Sequence, residues 1–354
     1  MSAIRSVWIL ALGVLAVVGG CAPGTVPSDT PPATEGAVGP SASLRAGKPL
    51  PMLIDTDVAP DDLVALAFLV GSPRVEVRAI TVSGTGEAHC GPGVDVVLRL
   101  LERLEAPPIA VACGPETPSA GDHAFPDAWR TGADDGSGLT FPATSREPFA
   151  GDAVQLIGET TDAVDGLRVL TLGPMTNLAE ALRRRPELAR RLETVYAMGG
   201  ALFVSGNVAF GGPSENEVAE WNIYVDPTAA QAVIDSGLTV RLVSLDGTNQ
   251  VPVTPEYAER VRREATGAGA LVLAELFAGH PFMTDGTYFL WDPLAAAMAA
   301  DYPLGSFSAA RVDVEEAEGP EVGFTRPVEG TPNVEYLSSA DRAAVEDTLL
   351  ETLN

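Results

Sequence analysis

Lysine is all but absent from this chain of 354 residues, with Lys48 the sole example. Chemistry that needs a lysine further along is excluded on that ground alone. Lys and Arg together number 22 against 48 Asp and Glu, a formal net charge of -26. Nucleic acid and anionic membrane surfaces are bound by clusters of Lys and Arg, so neither is an expected partner. Histidine is limited to His89, His123 and His280, and cysteine to Cys21, Cys90 and Cys113. No internal repeat is found. What the chain does have is a hydrophobic fraction of 46%, with 36 Gly and 29 Pro. That suits one large or two ordinary globular domains with well-formed cores, not general disorder.

The first residues stand apart from such a core. Arg5 precedes an apolar segment from Val7 to Val18, too short to span a bilayer as a helix, which ends in Val18-Gly19-Gly20-Cys21. This makes residues 1–21 a secretory signal. A Cys directly after the small residues resembles the lipobox of bacterial lipoproteins, although Val18 replaces the more usual Leu at its first position. Cys21 is then a lipidation site that anchors an exported protein to the outer face of the membrane; the alternative is plain secretion with Cys21 left behind. Residues 22–48, rich in Pro, Ala, Gly, Ser and Thr, read as a flexible tether, and 49–354 as the folded domain. Cys90 and Cys113 stay in the exported part, either as a disulfide or as two buried free thiols.

From Pro51 onward, short Val-, Ile- and Leu-rich runs recur, each followed by a turn and a helical pattern. The runs are Met52 to Ile54, Val75 to Val82, Ile109 to Ala112, Arg168 to Leu172, Thr194 to Met198 and Val240 to Leu245. They scarcely alternate, as strands buried on both faces do, so the fold class is α/β: a mostly parallel, doubly wound open sheet with helices on both faces. Helices are expected over Val94 to Leu104, Leu178 to Leu192, Pro227 to Asp235 and Pro255 to Phe277, with Asn177, Asp226 and Thr254 at N-cap positions. Residues 115–150 and 201–220 read as loops over a site. Arg311 to Val314 and Val322 to Phe324 form a small C-terminal hairpin, and Ser339 to Leu353 a closing helix.

In such a sheet, ligands bind beyond the carboxyl ends of the strands. The densest polar group lies at the first of them, where Asp55-Thr56-Asp57-Val58-Ala59-Pro60-Asp61-Asp62 packs four carboxylates into eight residues. Like charges so close need a cation, shifted pKa values or generous solvent. With no His or Cys nearby, a hard cation with oxygen ligands, calcium or magnesium, fits better than zinc or iron. Asp292, in Trp291-Asp292-Pro293-Leu294, is the best distant ligand. The plainer alternative is that Asp61 and Asp62 favour a helix dipole while Asp55 caps a turn. A phosphatase of the haloacid dehalogenase type also opens with Asp-x-Asp, but it needs Thr or Val where this chain has Ala59, and a downstream Lys that is missing.

Five motifs in order now resemble the inosine-uridine preferring nucleoside hydrolases over roughly residues 50 to 350. They are the acidic turn, Leu172-Gly173-Pro174-Met175-Thr176-Asn177-Leu178-Ala179, Met198-Gly199-Gly200 followed by Gly206-Asn207, Ala219-Glu220-Trp221-Asn222-Ile223-Tyr224-Val225-Asp226-Pro227, and Asp292-Pro293-Leu294. The resemblance implies a calcium-dependent N-ribohydrolase. By position, Asp57, Asp62, Asp292 and the Leu172 carbonyl would bind calcium, and Asp57 would take a proton from the calcium-bound water. Asp61, Asn207, Glu220 and Asn222 would hold the ribose and its carbocation-like state, with Asp55 supporting the metal from behind. Carboxylates around an oxocarbenium-like sugar stabilise its charge, as in glycoside hydrolysis.

The chain departs from the family at three places. Trp291 stands where many members carry an acidic His, and it has no titrating proton; it could stack on a purine and so ease departure. Val58-Ala59 replaces Pro-Gly, and Thr85 replaces an Asn that contacts the sugar. His89 is the best replacement acid, and Tyr288 a candidate lining of the base pocket. The expected function is calcium-dependent cleavage of the N-glycosidic bond of ribonucleosides, purine-leaning, in nucleoside catabolism outside the cytoplasm. The contrasting one is a calcium-bearing nucleoside- or sugar-binding lipoprotein without turnover. Family members often form dimers or tetramers, so a homo-oligomer is also expected, though no seam shows in the sequence.

Overall fold

The computed structural model describes residues 48–210 and 214–354. The signal, the Cys21 anchor and most of the tether lie outside them. The chain runs β1 (Leu50–Thr56), α1 (Pro60–Gly71), β2 (Val75–Val82), α2 (Cys90–Arg103), β3 (Ala110–Cys113), α3 (Asp127–Asp134), α4 (Ala153–Ala163), β4 (Leu167–Thr171), α5 (Thr176–Arg184), β5 (Leu192–Met198), α6 (Trp221–Val225), α7 (Pro227–Ile234), β6 (Val240–Val243) and α8 (Leu245–Thr248). It continues with α9 (Pro255–Glu264), α10 (Ala268–Gly279), α11 (Trp291–Ala299), β7 (Gly305–Ala310), β8 (Val312–Val314), β9 (Thr325–Pro327), β10 (Val334–Ala340) and α12 (Arg342–Leu353).

Eight strands form one sheet in the order β3-β2-β1-β4-β5-β6-β10-β7. Every pairing in it is parallel except β10 with β7. The order steps outward from β1 first in one direction and then in the other, and with right-handed crossovers this puts α1 and α2 on one face and α4, α5 and α7 on the other. Side chains sort by the period of two along each strand. On β1, Met52 and Ile54 enter a core with α1, α2, α10, α11 and α12, while Leu53 enters a second core with α4, α5 and α7. Both faces are therefore covered, which is why the strands read as continuous apolar runs.

The doubly wound parallel sheet is as expected; the C-terminal third is not. The hairpin pairs β8 with Thr325–Pro327, not with Val322 to Phe324. β7 and β10, unforeseen, extend the main sheet, so Ser339 belongs to a strand and the last helix starts only at Arg342. The long helix expected from Leu178 stops at Arg184 because Pro186, with no N–H and a ring that crowds the preceding turn, opens a 3-10 turn. The stretch from Pro255 to Phe277 is two helices, broken at Ala265 to Gly267. Asp226 and Thr254 cap α7 and α9 by accepting from the backbone N–H of Ala229 and Tyr257. Asn177 caps nothing: it sits inside α5, and its amide donates to Asp55 Oδ1 (2.7 Å) and the Val82 carbonyl (2.9 Å). Cys90 and Cys113 form a disulfide that ties the start of α2 to the end of β3.

Candidate active site

The strand-end turn after β1 lies at the floor of a cavity of about 500 Å³. Asp57, Asp61, Asp62, Leu172, Asn207, Glu220, Asn222, Trp291 and Asp292 all line it. α1 begins at Pro60, whose fixed φ suits a first helical position, and so aims Asp61 and Asp62 from the first turn into the cavity. α11 does the same for Asp292. Oxygens of Asp61, Asp62 and Asp292 lie within 4.8 Å of one another. This grouping differs from the expected set, which had Asp57 in place of Asp61. Asp57 touches the Asp62 carboxyl, but its Oδ2 also accepts from the Glu87 backbone N–H at 3.2 Å.

Asp62 is the hub. Its Oδ1 accepts from Thr56 Oγ1 and from the Asp57 backbone N–H (3.1 Å), whereas its Oδ2 is buried with no partner. Tyr288 donates its hydroxyl to Asp61 Oδ1 at 2.8 Å. Asp55 is fully buried behind the turn and accepts from Thr81 and Asn177, with Oδ2 unpartnered. Burial, followed by the charges of neighbouring carboxylates, pushes Asp61 up to about 7 and holds Asp57 and Asp292 well above the usual carboxylate range. Burial likewise raises Asp55 to about 7, where the bonds from Thr81 and Asn177 oppose it. So many carboxyls resisting ionisation, with two buried oxygens unpaired, form a donor set that suits a hard divalent cation.

On the next wall, Glu220 caps α6 and accepts three backbone N–H bonds, from Gly200, Asn222 and Ile223. Burial nonetheless raises it to about 7. Asn222 donates its amide to the carbonyls of Leu172 (2.6 Å) and Met198 (3.2 Å), and Asn207 Oδ1 accepts from the Trp221 N–H (3.0 Å). The backbone thus fixes three of the expected ribose contacts, Asn207, Glu220 and Asn222.

Two expectations fail. Thr85 does not line the cavity; it belongs to a buried hydroxyl chain, 3.0 Å from both Ser83 Oγ and Thr176 Oγ1, which leads on to Asp226. His89 points away, half-exposed, with Nδ1 2.8 Å from Asp134 Oδ2. The imidazole that does line the cavity is His280, and the carboxyl missed by the sequence reading is Glu87, raised to about 8 by burial and by the charges of Asp61 and Asp62. Glu87 could have been found from its place just after the polar end of β2. Nothing in the sequence marked His280.

Aromatic side chains line the same cavity, with Tyr288 bonded to Asp61 and Trp291 next to Asp292 in the chain. Tyr288 and Trp291 meet edge to face at 4.6 Å, and Phe125, Trp129 and Trp221 pack together with centroids 5.1 to 6.3 Å apart. Phe210 and Phe282 line the cavity too and stand exposed.

A doubly wound α/β sheet with an acidic strand end in a cavity lined by aromatic side chains defines a class of small-molecule site at the carboxyl edge. A family model described as inosine-uridine preferring nucleoside hydrolase matches residues 52–347, and the chain belongs to that family. Among similar proteins is the pyrimidine-specific ribonucleoside hydrolase RihA of Salmonella enteritidis PT4, 35% identical over 214 residues, 60% of this chain and 66% of that protein. Among solved structures is an inosine-uridine preferring nucleoside hydrolase from Bacillus anthracis, with a TM-score of 0.75 and 26% identity over 86% of this chain and 98% of that one. A purine-preferring ribonucleoside hydrolase from Gardnerella vaginalis has a TM-score of 0.73 at the same identity and coverage.

Proposed function

We propose that this chain hydrolyses the N-glycosidic bond of ribonucleosides, releasing ribose and free base, with calcium bound at the acidic turn. The observation that carries the reading is the buried convergence of Asp57, Asp61, Asp62 and Asp292 in a cavity that aromatic side chains also line. Asp62, Asp292, Asp57 and the Leu172 carbonyl would hold the ion, with Asp61 in reach. Calcium, when bound, makes water a better nucleophile near neutral pH. Asp57 takes the proton of the attacking water. Asp61, Asn207, Glu220 and Asn222 enclose the sugar, and their negative and dipolar groups stabilise positive charge on its ring. Trp291 presents a flat face to the base, which favours purines.

The N-terminal pattern supports an exported protein, lipid-anchored through Cys21, with residues 22–48 as its tether and the remainder as the catalytic domain. The reading is tested with a reducing-sugar assay on residues 49–354 over purine and pyrimidine ribonucleosides, with calcium and with chelator. Chelator-sensitive ribose release from inosine is the expected result. Bound calcium with no release across the panel would hand the site to the binding-protein reading.

A further inference from the structure

Trp291 cannot protonate a leaving base, and His89 does not reach the cavity. Among the described residues lining it, His280 is the one imidazole. Its Nε2 lies 2.8 Å from the backbone carbonyl of Ser137, 143 residues away in sequence. A carbonyl only accepts, so Nε2 carries a hydrogen, and Nδ1 is the nitrogen that gives or takes the second proton. A ring fixed in this way by an acceptor behind it is the arrangement that orients a proton-transferring histidine.

The carbonyl is delivered by an unusual turn. Ser137 has φ +54, in the left-handed region, between Gly136 at +66 and Gly138 at +72. A non-glycine residue rarely adopts that conformation unless its surroundings impose it. The Ser137 hydroxyl is buried without a partner, so it is the carbonyl contact to His280, not the side chain, that joins this turn to the α10 end. The placement along the cavity is also suitable. From Asp61, Tyr288 is one hydrogen bond away, Phe282 lies 5.9 Å from Tyr288 ring to ring, and His280 lies 5.6 Å from Phe282. His280 therefore lines the same cavity as the acids that enclose the sugar, linked to Asp61 through the Phe282 and Tyr288 rings.

We propose that His280 is the acid that protonates the departing base, with the Ser137 carbonyl as its positioning group; this rests on the hydrolase reading. The imidazole begins with both ring nitrogens protonated. Water adds to C1′ of the ribose as the C1′–N bond breaks, and the bonding pair goes to the base nitrogen. The base takes the Nδ1 proton of His280, while the proton lost by water goes to Asp57. The products are ribose and neutral base, with His280 left neutral and still donating from Nε2.

The test uses two leaving groups on the same sugar. Inosine needs a proton on its base, whereas 4-nitrophenyl riboside departs as a stable phenolate. H280F and H280Q are expected to lower kcat/KM for inosine by roughly 10²- to 10⁴-fold and to leave the nitrophenyl riboside within about threefold. Retained cleavage of the second substrate reports a folded site. Equal losses on both substrates would make His280 merely structural and overturn the proposal, as would no loss on either. An unmodified chain that cleaves neither substrate fails the hydrolase reading itself, and the proposal falls with it.

Discussion

Asp55, Asp57 and Asp62 hang from the end of a central strand and the first turn of its helix, where the sheet fixes the backbone on both sides. Trp129, His280 and Tyr288, which line the same cavity, stand on a short helix within a long connection and on irregular segments. The first group must hold charge, and the second must fit a base. Charge at close quarters demands fixed geometry, because the Coulomb energy rises steeply as separation falls. A base-facing wall can be rebuilt by loop changes without touching the sheet.

The comparison breaks most completely at its acidic side. D62A is expected to abolish calcium binding and lower kcat/KM by roughly a thousandfold or more, since a catalytic metal contributes several kcal/mol; metal content and ribose release read both. If D62A keeps its calcium, the ligand assignment fails.

Removal of the disulfide is next, and it tests the scaffold behind the acids. Cys90 and Cys113 are 23 residues apart, so C90A/C113A is expected to lose roughly 3 kcal/mol of stability, read by denaturant unfolding.

Acidity and metal are linked in sign. Asp55, Asp61 and Glu220, raised to about 7, and Glu87, raised to about 8, keep protons in the folded chain that the unfolded chain releases above about pH 4. The folded state then binds more protons, so stability falls as pH rises through that window. In chelator, Tm is expected to be lower at pH 8 than at pH 5. Calcium at a hundred times its Kd should return about 2.7 kcal/mol at pH 8, by mass action. A metal-free Tm that climbs with pH would refute this.

Smaller effects sharpen the aromatic side. W291A should cost about tenfold in kcat/KM with inosine and less with uridine, because a stacked aromatic pair is worth about 0.5–1.5 kcal/mol beyond its buried area. H89A should change turnover by less than about twofold, as expected of a half-exposed residue that does not line the cavity.

Legibility followed the same division. Asp57, Asp62 and Asp292 could be placed in one site from sequence because the acidic turn directly follows a buried strand and the family resemblance brings Asp292 to it. β7 and β10 were not legible: their sequences, Gly305–Ala310 and Val334–Ala340, are only partly buried near one edge of the sheet and lack the continuous apolar run of the central strands. His280 was invisible for another reason, since its value depends on a carbonyl 143 residues away. Asn177 was misread as a cap because its polar side chain suited that role locally, while the fold spends it on Asp55.

One detail of the acidic turn bears on how such a site persists. A Cβ at Gly86 would come within 2.1 Å of the Asp57 side chain, and one at Gly173 within 2.6 Å. Two bare backbones therefore crowd the Asp57 side chain. A descendant that gained a side chain at either position would keep its sheet, its cores and its outward likeness while losing the place where Asp57 sits. Those two glycines separate, from sequence alone, descendants that inherit the chemistry from descendants that inherit only the shape.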